Sequence, residues 1–89
     1  MRHASRTDDC QAEVVKALRK CGVSVVYIKL PLDLLCCVRG EILLVEVKED
    51  GGRFTKAQEA FIDSWPGRIE VVRGPIDAVA KVLGEGAMK

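Results

Sequence analysis

The 89-residue sequence predicts an α/β fold, a sandwich of helices around a small mixed sheet in the order α-β-β-β-α-β-α. Two observations carry this prediction. The first is a hairpin pattern at 31–48, where the short apolar runs Leu34–Val38 and Ile42–Val47 flank Arg39-Gly40. The second is helical periodicity before the hairpin and on both sides of one further strand, at 68–73. A meander of strands followed by one crossover is typical of such a sandwich.

A first helix is predicted at about Asp9–Lys20, because hydroxyl and acidic residues offer N-caps and Gly22 offers a terminator. The alternating, branched segment Val23–Leu30 is predicted as the first strand. Residues on one face of the helix are expected to pack on the sheet; they are Cys10, Val14, Ala17, Leu18 and Cys21.

A second helix is predicted from Thr55 to about Trp65, since Thr55 and Gln58 match the capping-box pattern and Pro66-Gly67 ends it. We expect Phe61 and Trp65, at helical spacing, to lie in the core and not to stack on bases. The whole apolar face is Ala57, Ala60, Phe61, Ser64 and Trp65.

A last helix is predicted to start at Gly74-Pro75, where proline fits the first turn, and to end at Gly84. Its buried positions are expected to be Ile76, Val79, Ala80 and Leu83. One domain is therefore expected over 9–84, between an N-terminal tail at 1–8 and a C-terminal tail at 85–89.

The nearly equal numbers of acidic and basic residues exclude a strong overall electrostatic attraction of the chain to nucleic acid or to a membrane. There are 14 basic and 13 acidic residues, which gives a net charge of +1. No apolar run approaches the ~20 residues of a membrane span, and no signal peptide opens the chain. We therefore expect a cytoplasmic protein.

The cysteines, Cys10, Cys21, Cys36 and Cys37, form no Cys-x-x-Cys pair. The chain also has one histidine, so zinc-ligand spacing is absent. Adjacent strand residues point to opposite faces, which makes a bridge between Cys36 and Cys37 unfavourable. Reduced, small, apolar core residues are the expectation.

The hairpin predicts a charged cluster at its open end. A turn symmetric about Arg39-Gly40 places Asp33 opposite Glu46, and cross-strand partners lie roughly 5 Å apart at Cβ. Lys48 then points to the same side as Glu46. Arg-Gly is not the Asn-Gly that a type I′ turn prefers, so a bulge that shifts the register by one residue is the alternative.

Two carboxylates beside an ammonium suit metal-dependent hydrolysis of a phosphodiester. Mg²⁺ prefers a few carboxylates with water and substrate oxygens, and Asp33, Glu46 and the Val47 carbonyl supply such a set. Lys48 would orient the attacking water or offset charge on the phosphate. On spacing alone, a solvated strand face with its own salt bridge is the better explanation of Glu-x-Lys.

The text LDLLCCVRGEILLVEVK, followed by FTKAQEAFIDSW and IEVVR, resembles the PD-(D/E)xK nuclease superfamily. Within it, the chain is similar to small stand-alone VRR-nuclease proteins of bacteriophages and bacteria, over nearly its whole length. The resemblance implies a restriction-endonuclease-like sandwich, a Mg²⁺- or Mn²⁺-dependent DNA endonuclease, and a homodimer acting on branched DNA such as four-way junctions.

By position, the resemblance implies that Asp33, Glu46 and Lys48 are catalytic, with Gln58 near the site. It implies that Asp33, Glu46, the Val47 carbonyl and Glu13 bind the metal. Two further positions match the family pattern. Gln11 matches a glutamine that lies two residues before the acidic residue of the first helix, and Arg73 matches a position that contacts phosphate.

The sequence departs from the family pattern at one point that matters for the site. Leu32 stands between Pro31 and Asp33, where the family usually has proline directly before the aspartate. With the near-neutral charge, this motivates the alternative function: a catalytically inactive module of the same fold that binds nucleic acid or a protein partner as a regulator. The residues around the acidic pair also have simpler explanations. Glu13 can be an ion-pair partner of a lysine on its helix, Gln58 a helix-capping residue and Arg73 a surface residue.

Overall fold

The computed structural model describes residues 5–49 and 52–84, with side chains from residue 10 onwards. The described residues form a four-stranded sheet and three helices in the predicted order. The elements are α1 (Ser5–Lys20), β1 (Ser24–Tyr27), β2 (Leu34–Val38), β3 (Glu41–Val47), α2 (Lys56–Ser64), β4 (Arg68–Val72) and α3 (Pro75–Leu83). The predicted α/β class and mixed sheet are confirmed.

The strands lie in the sheet in chain order. β1–β2 and β2–β3 are antiparallel pairs, and β3–β4 is a parallel pair joined by the crossover through α2. Val38 pairs with Glu41 and Leu34 with Val45, which is the predicted unshifted register. Arg39 and Gly40 have φ angles of 54° and 81°, and a type I′ turn requires positive φ at both positions.

The hydrophobic core lies between one face of the sheet and the helices α1 and α3. Val14, Val15 and Leu18 of α1 and Ala78 and Val82 of α3 are buried there. The alternate residues of β2 and β3 meet them, namely Leu34, Cys36, Val38, Leu43, Val45 and Val47. Helix α2 lies against the other face and contributes no buried residue.

Two predicted boundaries are wrong. Helix α1 begins at Ser5 instead of Asp9, so part of the predicted tail is helical; residues 1–4 and 85–89 of the predicted tails lie outside the described residues. Strand β1 ends at Tyr27 instead of Leu30, because the N–H groups of Ile28 and Lys29 both turn to the Asp33 carbonyl, at 2.9 and 3.3 Å. The left-handed φ of Lys29, 73°, accompanies this turn.

The predicted core placement of Phe61 and Trp65 is also wrong. Phe61 is half-buried and Trp65 is 44% exposed, and their rings stack on each other with centroids 5.1 Å apart. The sheet face under α2 has no second helix over it in the described chain, so the aromatic pair closes only one side of an open groove.

In α3 the buried face is rotated from the predicted one. Ala78 and Val82 are buried, Val79 and Leu83 are partly buried, and Ile76 is 84% exposed. Apolar residues extend around most of this helix, so periodicity alone permits more than one phase. The small Ala78 side chain permits close approach to the neighbouring elements, which favours the observed phase.

All four cysteines are free. Cys36 is buried in the core as predicted, and burial raises the pKa of its thiol to about 11. The core prediction is wrong for Cys21, which is exposed just after α1, while Cys10 and Cys37 are half-buried.

Candidate functional site

The carboxylates of Asp33 and Glu46 meet at the open end of the β2–β3 hairpin. Glu46 Oε1 accepts a hydrogen bond from the Asp33 backbone N–H at 3.1 Å. Asp33 Oδ2 in turn accepts one from the Val47 N–H at 2.9 Å. Asp33 directly precedes β2, so its carboxylate prolongs the contact between the strands beyond the last paired residues. The predicted convergence is confirmed for this pair.

Glu46 is a buried carboxylate, only 3% exposed. Burial raises its pKa, and the negative charge of Asp33 raises the pKa further. The Lys48 ammonium and the hydrogen bonds from Asp33 and Gln58 act in the opposite direction without cancelling the rise. The surroundings of Glu46 therefore favour its protonated form.

Lys48 lies on the same side as Glu46, with Nζ 3.5 Å from Glu46 Oε2. Its ammonium also donates to the Arg53 carbonyl at 2.9 Å and lies 5.2 Å from the centre of the Phe54 ring. The cation–π contact with Phe54 and the hydrogen bond to the Arg53 carbonyl keep the ammonium beside the carboxylates instead of in solvent. Neither Arg53 nor Phe54 was expected at the site.

Gln58 makes contacts with both ends of its amide. Its Oε1 accepts a hydrogen bond from the Thr55 backbone N–H at 3.1 Å, and its own backbone N–H donates to Thr55 Oγ1 at 3.1 Å, which confirms the capping box. Its Nε2 donates to Glu46 Oε2 at 3.0 Å. The predicted cap and the predicted place near the site are therefore both correct.

Glu13 is not brought together with the acidic pair. Its side chain is exposed on α1. Burial, followed by the charges of Glu49 and Glu13, raises the pKa of the Cys10 thiol. Cys10 lies near the carbonyl of Arg73, at the end of β4. Among the described residues, no three acidic, histidine or cysteine side chains are grouped closely enough to hold a metal ion.

The other two predicted positions, Arg73 and Gln11, directly follow β4 and lie on α1, respectively. Arg73 Nη1 donates to the Glu49 carbonyl at 3.4 Å, while its backbone N–H donates to Asp77. These contacts place Arg73 next to the loop that follows β3. Gln11 is half-buried on α1, and the structure places it in no described contact with the acidic pair.

The chemistry of the pair nevertheless fits a hard divalent cation. Asp33 and Glu46 supply carboxylate oxygens, the ligands that Mg²⁺ and Mn²⁺ prefer. Within the described chain, the Asp33 carboxylate accepts a hydrogen bond at Oδ2 alone, so Oδ1 is available as a ligand. Burial, and then the charge of Asp33, raise the pKa of Glu46, and a cation bound between the two carboxylates would offset their repulsion.

Comparisons with known proteins do not assign the chain to a family. No protein-family model, no curated protein and no solved structure matches it. Over the described ranges, the helices are too short or too polar to span a bilayer. Its function is therefore inferred from the residues of the site.

The contacts of Lys48 were missed because Arg53 and Phe54 belong to a loop. Their contact with Lys48 depends on the path of the chain between β3 and α2, and no periodic pattern in the sequence predicts that path. Residues 50 and 51 of this loop lie outside the described residues. An aromatic residue six positions after the lysine was the available clue.

Proposed function

We propose that the protein is a divalent-metal-dependent endonuclease that hydrolyses DNA phosphodiester bonds. The observation that carries the proposal is the interlocked Asp33–Glu46 pair with the Lys48 ammonium 3.5 Å from Glu46. A purely structural pair of this kind would be better served by one carboxylate and one amide, since a buried carboxylate and a half-buried one in contact repel each other.

In this proposal Asp33, Glu46 and the Val47 carbonyl hold Mg²⁺ or Mn²⁺. When bound, the cation supplies the positive charge that polarises the phosphoryl group and activates water. Glu13 remains a predicted metal ligand, which from its exposed position on α1 would act through water or after a movement of its side chain.

Lys48 is proposed to orient the attacking water and to offset the charge that builds on the phosphate. Its ammonium is already desolvated on one side by the Phe54 ring, which strengthens its electrostatic effect at short range. Gln58 holds Glu46 Oε2 through its amide, so it fixes the direction of that carboxylate. The amide thereby reduces the freedom that metal binding must otherwise remove.

We further propose branched DNA as the substrate, a homodimer as the acting form and a cytoplasmic location. The net charge of +1 gives little general attraction to DNA, so a small monomer has few means of holding an extended duplex. A two-fold dimer presents two sites to two strands of a junction.

One observation favours a second function, a catalytically inactive module that binds nucleic acid or a protein partner. Both oxygens of Glu46 and the ammonium of Lys48 already have partners within the chain. A site satisfied in this way can serve stability alone. Metal affinity separates the two functions.

The deciding experiment is cleavage of labelled four-way-junction, flap and duplex DNA with Mg²⁺ or Mn²⁺, and with EDTA. Wild type should cut a branched substrate only with the metal, and Glu46→Ala should not cut. Lys48→Ala should bind Mn²⁺ nearly as wild type in calorimetry, while cutting falls by at least ~100-fold.

Lys81→Ala is the matched control, because Lys81 is an ion-paired lysine of α3, bonded to Asp77 at 3.3 Å. It should cut like the wild type. Equal cutting by wild type and Glu46→Ala would show that the site is assigned to the wrong residues. Absence of Asp33-dependent Mn²⁺ binding would favour the binding module.

A further inference from the structure

The sheet face that carries Glu46 continues into an exposed apolar surface. Val26 of β1 pairs with Leu35 of β2, and Leu35 pairs with Leu44 of β3, so their side chains form a row across the sheet. Ile42 lies one step farther along β3 on the same side. Val26 and Ile42 are 55% and 65% exposed, although valine and isoleucine are among the residue types most often fully buried. We call this surface, together with Trp65, the open face.

The open face contains a groove as well as projecting side chains. The groove has a volume of about 480 Å³ and lies between the sheet and α2. Its lining is Pro31, Leu35, Ile42, Leu43, Leu44, Phe61, Trp65, Gly67 and Arg68. A surface that carries both a recess and the side chains able to fill one can pair with its own copy about a two-fold axis.

The charges at the groove favour a second copy over a charged partner. Arg68 is the charged residue in the lining, and its guanidinium is bonded to Glu41 at 2.9 Å and to Glu70 at 3.1 Å. The same guanidinium also donates to the Lys81 and Val82 carbonyls at the end of α3. No cation of the lining is left for a phosphate, and two copies facing each other meet apolar surface and not like charge.

The area is adequate for a dimer. With about 200 Å² for a fully exposed large side chain, the open face and the adjoining Leu30 and Pro31 present roughly 600 Å² of apolar surface. A standard interface buries ~800 Å² per partner, including its polar rim. A patch of this size lies at the upper end of what a monomer exposes, where apolar patches often have a binding role.

We propose that the open face is the surface through which two copies of this chain associate, with Ile42 and Trp65 at the centre of the contact. This inference gives a location to the homodimer proposed above and does not depend on the chemistry of the carboxylates. Leu44 and Glu46 are two residues apart on one side of β3, so the acidic pair lies only ~7 Å along the strand from this surface. Dimerisation would therefore place the two candidate sites at the rim of one interface.

Sedimentation over a concentration series tests the proposal without DNA or metal. Wild type should have twice the chain mass, and Ile42→Glu should raise the dimer dissociation constant by at least ~30-fold, the effect of losing one interface hot spot. Ile76→Glu is the matched control, because Ile76 is 84% exposed on α3, which packs on the other side of the sheet. It should remain a dimer.

Trp65, the single tryptophan of the chain, provides a second measurement. Its emission should shift to longer wavelength when wild type is diluted below the dissociation constant, and should already be shifted in Ile42→Glu. Ile42→Thr, which keeps β-branching, should weaken the dimer with unchanged circular dichroism. A wild type that stays monomeric, or an Ile42→Glu variant that dimerises with wild-type affinity, would overturn the proposal. Quenching of the Trp65 emission by an oligonucleotide, with the protein remaining monomeric, would also overturn it. That result would indicate that the groove binds a nucleic-acid base.

Discussion

Asp33 and Glu46 each bind the backbone of the opposite strand: Glu46 accepts the N–H of Asp33, and Asp33 accepts the N–H of Val47, the residue after Glu46. At the open end of the hairpin, two carboxylates thus accept backbone hydrogen bonds in place of the carbonyl groups of the opposite strand. Their hydrogen bonds stabilise the strand ends, while their like charges oppose each other. The balance of these two effects can be measured without assuming any function.

We expect the buried Glu46 to make folding stability depend on pH. Its pKa is raised above the ordinary 4.5 in the folded state, so its contribution to stability is fully present below that value. The contribution is lost as pH rises through the folded pKa. In urea unfolding at a series of pH values, wild type should therefore lose stability relative to Glu46→Gln as pH increases towards neutral. A difference that is constant with pH would contradict the raised pKa.

Lys48→Met should raise the pKa of Glu46 still further, because the ammonium at 3.5 Å lowers it. Methionine keeps the apolar part of the side chain on Phe54 while removing the charge. A carbon-detected NMR titration of the glutamate carboxyls would measure the change. Lys81→Met, in the distant pair with Asp77, should leave the Glu46 titration unaltered.

Asp33→Asn should raise the melting temperature by about 2–5 °C at neutral pH. Asparagine removes the charge beside Glu46 but retains an oxygen for the Val47 N–H. Asp33→Ala removes both, so its melting temperature should lie below that of Asp33→Asn. The pair of variants separates repulsion from hydrogen bonding in thermal unfolding followed by circular dichroism. A large loss with Asp33→Asn would indicate that the carboxylate is required by the fold.

The Arg39-Gly40 turn is a place where the chain can be stabilised. Arg39 adopts a φ of 54°, and asparagine tolerates this conformation better, so Arg39→Asn should gain about 0.5 kcal/mol. Gly40 has a φ of 81°, and a Cβ there would meet no neighbouring atom within 4 Å. Gly40→Ala should therefore cost about 1 kcal/mol from backbone strain alone. Urea unfolding of both variants measures the two changes in the free energy of unfolding. A loss well above about 1 kcal/mol in Gly40→Ala would contradict the absence of neighbouring atoms around a Cβ at this position.

The four thiols should react at very different rates. Cys36 is 1% exposed with a pKa of about 11 against an ordinary 9.0, so its thiolate fraction alone is about 100-fold reduced. Cys21 is exposed. In the native protein, a thiol reagent should label Cys21 rapidly and Cys36 only on the timescale of unfolding, as read by mass spectrometry of peptides. Fast labelling of Cys36 would place it outside the core.

The hairpin and its acidic pair were predictable because each depends on local rules. A two-residue turn fixes which residues face each other, and strand alternation then assigns Glu46 and Lys48 to one side. The Thr55–Gln58 cap is likewise encoded within four residues. These features follow from spacing, whatever the rest of the chain does.

The features that could not be predicted depend on how separate elements approach each other. Trp65 and Phe61 have the spacing of core residues, yet α2 has a sheet on one side and no further layer over it among the described elements. The arrival of Phe54 at Lys48 is set by a loop. Glu13 is on the expected helix, but the rotation of α1 directs it towards Cys10 and not towards the acidic pair.

The amide of Gln58 joins two parts of the molecule that are usually independent, since it closes the first turn of α2 and holds Glu46 at the same time. Whatever draws that carboxylate away from the amide also loosens the beginning of the helix, and fraying of the helix sets the carboxylate free. Hydrogen exchange of the backbone amides at the start of α2 therefore reports on whether Glu46 is bound to the Gln58 amide or to another group.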